Sequence, residues 1–174
     1  MVRTRMRLAP LLALALLAAP GAAEARPNPA LWATINRCDT PTAPNSMGVR
    51  AAMPGDATRQ RMYVRFTAQF FSHKNGRWLT AAGSDQSPWL YVGLARYRSL
   101  QAGWIFPFAP PPQGTVFRVR ALAEFEWRSR RRVGRRRHAR WIVTMRRKRV
   151  TQAGVRGADG GDPAGSSRGS CDIA

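Results

Sequence analysis

The chain has 174 residues, with 29 Lys or Arg against nine Asp or Glu and a formal charge of +20. That length suffices for one domain and not comfortably for two, and two Cys with two distant His lack the ligand spacing of a zinc site. The charge attracts anionic polymers and anionic membrane surfaces, although 27 Arg to two Lys amid abundant Ala, Gly and Pro is also the imprint of a GC-rich coding sequence.

Residues 1–25 set the destination. Arg3, Arg5 and Arg7 precede an apolar run from Leu8 to Ala19, and Ala23-Glu24-Ala25 carries small residues where a signal peptidase reads them. This is the layout of a secretory signal peptide. The run has 12 residues and is broken by Pro10, whereas a membrane-spanning helix needs about 20. With no Arg-Arg pair and no Cys directly after the run, twin-arginine export and lipid attachment are disfavoured. Loss of the leader removes three Arg and one Glu, leaving 149 residues at +18. The mature chain is expected to be secreted or cell-envelope associated, with no transmembrane segment.

Period-two alternation governs the mature chain. Leu31 to Cys38 places apolar residues at 31, 33 and 35, and Ser46 to Met53 forms a weaker candidate strand stopped by Pro54-Gly55. Met62, Val64, Phe66, Ala68 and Phe70 alternate with Tyr63, Arg65, Thr67 and Gln69. Asn75-Gly76 then predicts a type I′ hairpin, since both residues tolerate positive φ, and Trp78-Leu79 begins the return strand. Trp89 to Tyr97 and Gly103 to Phe108 are two further short strands, separated by a Pro-rich stretch from the longest one, Thr115 to Trp127. Phe117, Val119, Ala121, Ala123, Phe125 and Trp127 share one face of that strand; Arg118, Arg120, Glu124 and Glu126 share the other. A turn near Gly134 would bring Trp127 opposite Trp141, Phe125 opposite Val143 and Ala123 opposite Met145, keeping apolar side chains on one face. The same register sets Glu124 and Glu126 near Arg140 and Arg146.

Many short strands with Pro/Gly punctuation and few helix signals predict an all-β, antiparallel β-sandwich of immunoglobulin-like type, with a closed β-barrel as the alternative. Residues 26–153 form the sandwich domain. Residues 154–174, rich in Gly, Ser and Asp, read as a flexible segment tied back by Cys171. In an oxidising compartment Cys38 and Cys171 pair, joining the first strand to the last. Closing so long a loop stabilises a fold by about 4–5 kcal/mol in the chain-entropy treatment.

Leu31-Trp-Ala-Thr-Ile-Asn-Arg-Cys-Asp-Thr40, Gly48-Val-Arg with Met53-Pro-Gly55, Met62-Tyr-Val-Arg-Phe66, Phe108 to Arg128 and Gly161-Asp-Pro-Ala-Gly165 together resemble a group of small exported immunoglobulin-like proteins from high-GC bacteria. The resemblance covers most of the mature chain. It implies an exported immunoglobulin-like sandwich and brings no catalytic residues with it. The Arg-dense segment 128–149 is richer than that pattern.

Catalytic constellations are sparse. A hydrolytic triad needs a His held between a nucleophile and a carboxylate, yet His73 lies beside the predicted turn and His138 lies within an Arg cluster that disfavours its protonated form. Glu124 and Glu126 lie two apart on one strand face, a spacing conceivable for glycoside hydrolysis but more simply read as charge pairing with neighbouring Arg. Asp159-Gly-Gly-Asp162 lacks the Asp spacing and closing Glu of a calcium loop. No phosphate-cradling loop, dinucleotide fingerprint or Gly-x-Ser-x-Gly elbow occurs. The sequence therefore predicts a non-enzymatic protein with no cofactor and no metal.

One constellation remains. Between Arg128 and Arg149 stand twelve Lys or Arg and no acid. Arg130, Arg131, Arg132, Arg135, Arg136 and Arg137 flank Gly134, with Arg140 close behind. Forked guanidinium groups suit phosphate and carboxylate oxygens, and clustered like charges are relieved by an anion. The reading is a polyanion-binding hairpin for an anionic cell-envelope polymer or anionic membrane surface. Nucleic acid is disfavoured as the physiological partner, because export removes the chain from it and no RNA-binding aromatic motif occurs. The alternative is a structural or accessory domain of the envelope that docks a protein partner.

Overall fold

The computed structural model describes residues 31–80, 86–133 and 138–174. The expected leader, residues 1–25, lies outside the described residues, as do 26–30, 81–85 and 134–137. Among the described residues nine strands occur in chain order: β1 (Trp32–Thr40), β2 (Ala43–Pro54), β3 (Arg61–Ser72), β4 (Arg77–Thr80), β5 (Leu90–Leu94), β6 (Ser99–Pro107), β7 (Phe117–Val133), β8 (His138–Val150) and β9 (Cys171–Ile173). Among the described residues no helix is long and apolar enough to cross a membrane.

The strands form two antiparallel sheets. The smaller has the order β1-β2-β6; the larger has β4-β3-β7-β8, with β5 sharing the β3 edge with β4 and β9 sharing the β7 edge with β8. Neither sheet closes on itself, so the fold is an all-β sandwich and the closed barrel is set aside. The alternation of β3 buries Met62, Val64, Phe66 and Ala68, and that of β7 buries Val119, Ala121, Ala123, Phe125 and Trp127. Large residues face small ones across the pair: Phe66 is opposite Ala123, and Phe70 opposite Val119. Ala33, Ile35, Met47, Val49 and Phe106 of the small sheet complete the core. Phe117, placed by sequence on the same inner face, lies at the end of β7 beyond this core and is exposed.

Two sequence expectations are corrected. The β3–β4 connection is not a two-residue type I′ turn: Ser72 pairs with Arg77, leaving four loop residues of which only Gly76 has positive φ. The amide of Asn75 donates to the carbonyl of Ser72 at 3.2 Å, which closes the first bend with Asn75 at ordinary negative φ. The β7–β8 register also differs. Trp127 stands opposite Met145, Phe125 opposite Arg147 and Ala123 opposite Arg149. The cause is local. The register shifts between Trp127 and Arg128, so that Thr144 is an extra residue on β8, the mark of a β-bulge. Its hydroxyl donates to the carbonyl of Trp127 at 2.9 Å.

Cys38 and Cys171 are disulfide-bonded, with Cα atoms 5.5 Å apart and a sequence separation of 133. The bond joins β1 of the small sheet to β9 of the large one. The Gly-rich segment that precedes β9 runs beside β1 through backbone hydrogen bonds. Ile35 and Arg168 exchange a pair at 2.9 Å each, and Asp162 donates to Asn36 at 2.8 Å. Buried Thr34 adds side-chain bonds to the carbonyl of Gln152 and the hydroxyl of Ser167, both at 2.8 Å.

Candidate functional site: an arginine ribbon beside a cation–aromatic face

β7 outruns its neighbour. β3 pairs with it only as far as Arg128, so that Ser129–Val133 and His138–Ile142 continue as a two-stranded ribbon. Arg130, Arg131, Arg132 and Arg140 belong to this ribbon and are all exposed. Arg131 stands directly opposite Arg140, Arg130 opposite Trp141 and Arg132 opposite Ala139. Directly opposed like charges destabilise a strand pair. Among the described residues these four guanidiniums have neither an acidic nor an aromatic partner. Arg135, Arg136 and Arg137, the other half of the expected cluster, lie outside the described residues.

Below the ribbon the same hairpin is arranged differently. The Glu124 carboxylate receives Arg65 Nη2 at 2.6 Å and Lys148 Nζ at 2.7 Å. Glu126, only 3% exposed, receives Arg128 Nη2 at 2.6 Å and Arg146 Nε at 2.8 Å. The expected proximity of these acids to Arg146 holds for Glu126. Arg140 is not their partner, because the register carries it up the ribbon to Arg131. Burial pushes the Glu124 carboxyl up, but the hydrogen bonds and charges of Lys148 and Arg65 together outweigh it and hold the carboxyl below its ordinary range. A glycosidase acid requires the opposite shift.

The bulge at Thr144 has a second consequence. It turns Trp141 and Val143 away from the core, onto the outer face of the large sheet beside Arg128 and Arg130. There Trp141, 41% exposed, lies under the Arg61 guanidinium, whose Cζ is 4.2 Å from the ring centroid. Similar stacks cover the rest of this face. Arg128 lies 4.2 Å from Tyr63 and 5.1 Å from Trp89, Arg65 lies 4.6 Å from Trp89, and Arg120 lies 4.3 Å from Trp78. Arg120 also donates from Nε to Gln69 Oε1 at 2.9 Å, and burial draws its pKa down. At the far end Arg118 makes a bidentate pair with Asp172, whose carboxyl is held below the ordinary range by that hydrogen bond. Guanidiniums stacked on rings are held in fixed orientation and retain in-plane N–H groups for oxyanions.

Sequence reasoning missed this face. Its signal was the outward set of the same alternation, Tyr63 and Arg65 on β3, which the inward apolar series overshadowed. His73 does not join it. His73 packs edge-on against Phe71 in the β3–β4 loop, and His138 pairs with Val133 at the top of the ribbon. No family model matches the chain, and no curated protein matches it.

Proposed function

We propose that this protein is an exported, non-enzymatic binding module that docks on anionic polymers or surfaces of the cell envelope through its Arg-rich hairpin, Arg128–Arg149, with the ribbon at the end of that hairpin making the contact. One observation carries the reading: charge neutralisation stops where the ribbon begins. Within the sheet Glu124 and Glu126 each receive two cations, whereas Arg131 faces Arg140 with no acid among the described residues paired to either. A polyanion relieves this repulsion, and an arm carried beyond the sheet meets it first. The leader pattern and the Cys38–Cys171 disulfide support export, since such bonds persist in oxidising compartments.

Binding of this kind weakens steeply with salt as counterions are released. Wild-type protein on a phosphate-bearing resin should therefore elute sharply earlier as salt rises. Serine in place of Arg130–Arg132 and Arg135–Arg137 should abolish retention at moderate ionic strength; retention equal to wild type would overturn the proposal.

A second reading, an accessory envelope domain that docks a protein partner, draws on exposed Phe70, Val116 and Phe117. They line a mostly apolar groove of about 520 Å³ at the opposite end of the sandwich. Pull-down from envelope extract with wild type and the serine variant separates the two, because a partner held at that groove is captured equally by both.

A further inference from the structure

We infer that the cleft at the ribbon end of the sandwich is a separate site for a small amphiphile with a phosphate or carboxylate head. The inference goes beyond the ribbon reading, which concerns extended polyanions and a different set of side chains. The cleft measures about 790 Å³ and opens between three short segments and one strand: Leu31 before β1, Pro54 at the end of β2 with Gly55 to Ala57 behind it, Arg96 to Arg98 between β5 and β6, and Met145, Arg147 and Arg149 of β8. Its size falls in the usual range for small-ligand sites.

Trp127 forms part of the lining and supplies the most specific observation. The residue is 2% exposed, and its indole Nε1–H is buried without an acceptor. Buried donors are nearly always paired, so an unpaired N–H on a residue that lines a cleft is an unmet demand for an acceptor at its inner wall. Two cations stand beside it. Arg147 and Arg149 are opposite buried Phe125 and Ala123, which puts them on the inner side of β8. Each directs one Nη1 group to a neighbouring carbonyl, of Arg146 and Lys148 respectively. Neither has a carboxylate partner among the described residues. Asp56, the one acid of the lining, engages the Thr58 amide and hydroxyl and the Gln60 side chain.

The walls are apolar and already in place. Leu31, Pro54 and Met145 offer hydrocarbon surface, and the two flanking loops are bonded to each other. Gly55 donates to the carbonyl of Arg98 at 3.1 Å and Ala57 to that of Ala95 at 2.9 Å. A Cβ on Gly55 would fall 1.9 Å from the carbonyl oxygen of Tyr97, so this contact requires glycine. Arg96 stacks on Tyr97 and donates to its hydroxyl at 2.7 Å, which fixes the rim. An oxyanion head accepts from Trp127 Nε1–H and from the free edges of Arg147 and Arg149, while its apolar body packs on Leu31, Pro54 and Met145. Preformed walls reduce the ordering cost of binding.

The test is a titration of ¹⁵N-labelled mature protein with inorganic phosphate and, separately, with hexyl phosphate, following the indole N–H signals. The Trp127 signal, identified by its loss in Trp127→Phe, should move and saturate with both. Hexyl phosphate should bind about tenfold more tightly, as expected for burial of a few methylenes. Arg147→Gln with Arg149→Gln changes only exposed side chains, so it remains informative if Trp127→Phe fails to fold. It should weaken both ligands by about tenfold, as loss of charge-assisted hydrogen bonds requires. Serine at Arg130–Arg132 should leave both affinities unchanged, which distinguishes this site from the ribbon. A Trp127 signal unmoved in folded protein, equal affinity for the two phosphates, or affinity unaffected by the double Gln variant would each overturn the inference.

Discussion

Between Leu122 and Trp127 the β7–β8 pair sets its outward cations against acids, whereas between Ser129 and Val133 it sets Arg131 against Arg140 and offers its other arginines no acid among the described residues. Both stretches are strands of one hairpin and both are rich in arginine. The lower half is flanked by β3 and lies over the core, so its charges are partly desolvated and an unmatched one is costly. The upper half is flanked by water, which screens like charges and lets them stand open. Charge density alone is therefore a poor guide to function; what marks the ribbon is that its charge is left unmatched. Arg147 and Arg149 are the exception in the lower half. They turn inward, to the cleft beside Trp127, and they too lack an acid among the described residues.

The largest way to break this contrast is to loosen the body and leave the arm. Cys38→Ser with Cys171→Ser should lower unfolding stability in urea by about 4–5 kcal/mol. Retention on the phosphate resin, measured where the variant remains folded, should hold. Loss of retention without loss of folded signal would show that the ribbon depends on the disulfide-closed body.

Next comes Glu126→Gln, which leaves Arg128 half-buried without its anion. We expect a loss of about 2–3 kcal/mol, below that of a fully buried pair because Arg146 is largely exposed. Arg131→Ser, by contrast, should change stability by less than about 0.5 kcal/mol. Equal effects of the two substitutions in urea melts would erase the distinction between the halves.

Acid sharpens it further. The Glu124 carboxyl is depressed in the folded state relative to its value of about 4.3 in an unfolded chain. Its contribution to stability is thus fully present above that value and is lost as pH falls through the folded-state value. Wild-type urea midpoints should drop more steeply below about pH 4 than those of Glu124→Gln; parallel curves would deny the pairing its role. The smallest effect is expected in the ribbon itself. Arg131→Glu places an acid opposite Arg140 and should raise stability by about 0.2–1 kcal/mol at low salt, seen as a small rise in melting temperature that added salt removes.

Much of the frame was legible in residue order alone. The inward series of β3 and β7 follows from period-two patterning, because a strand with one buried face must alternate. The two cysteines of the sequence left a single intramolecular pairing. The β7–β8 register was not legible, since Trp141 and Val143 look like core residues to any reading of hydropathy. One inserted residue, Thr144, reverses their facing. The cation–aromatic face was hidden for a related reason: Arg61 and Trp141 are far apart in sequence and meet only because β3 and β8 lie on either side of β7. Nor did the Gly- and Ser-rich composition of residues 154–169 disclose its hydrogen bonds to β1.

By itself, then, the sequence determined the strand-forming pattern, the sulfur pairing and the place where arginine accumulates, because each depends on residue type and local spacing. Tertiary structure decided which arginines find an acid, which find a ring and which find neither. That choice rests on strand order and on a single bulge, and a change of one position in register moves every side chain to the other face of the sheet.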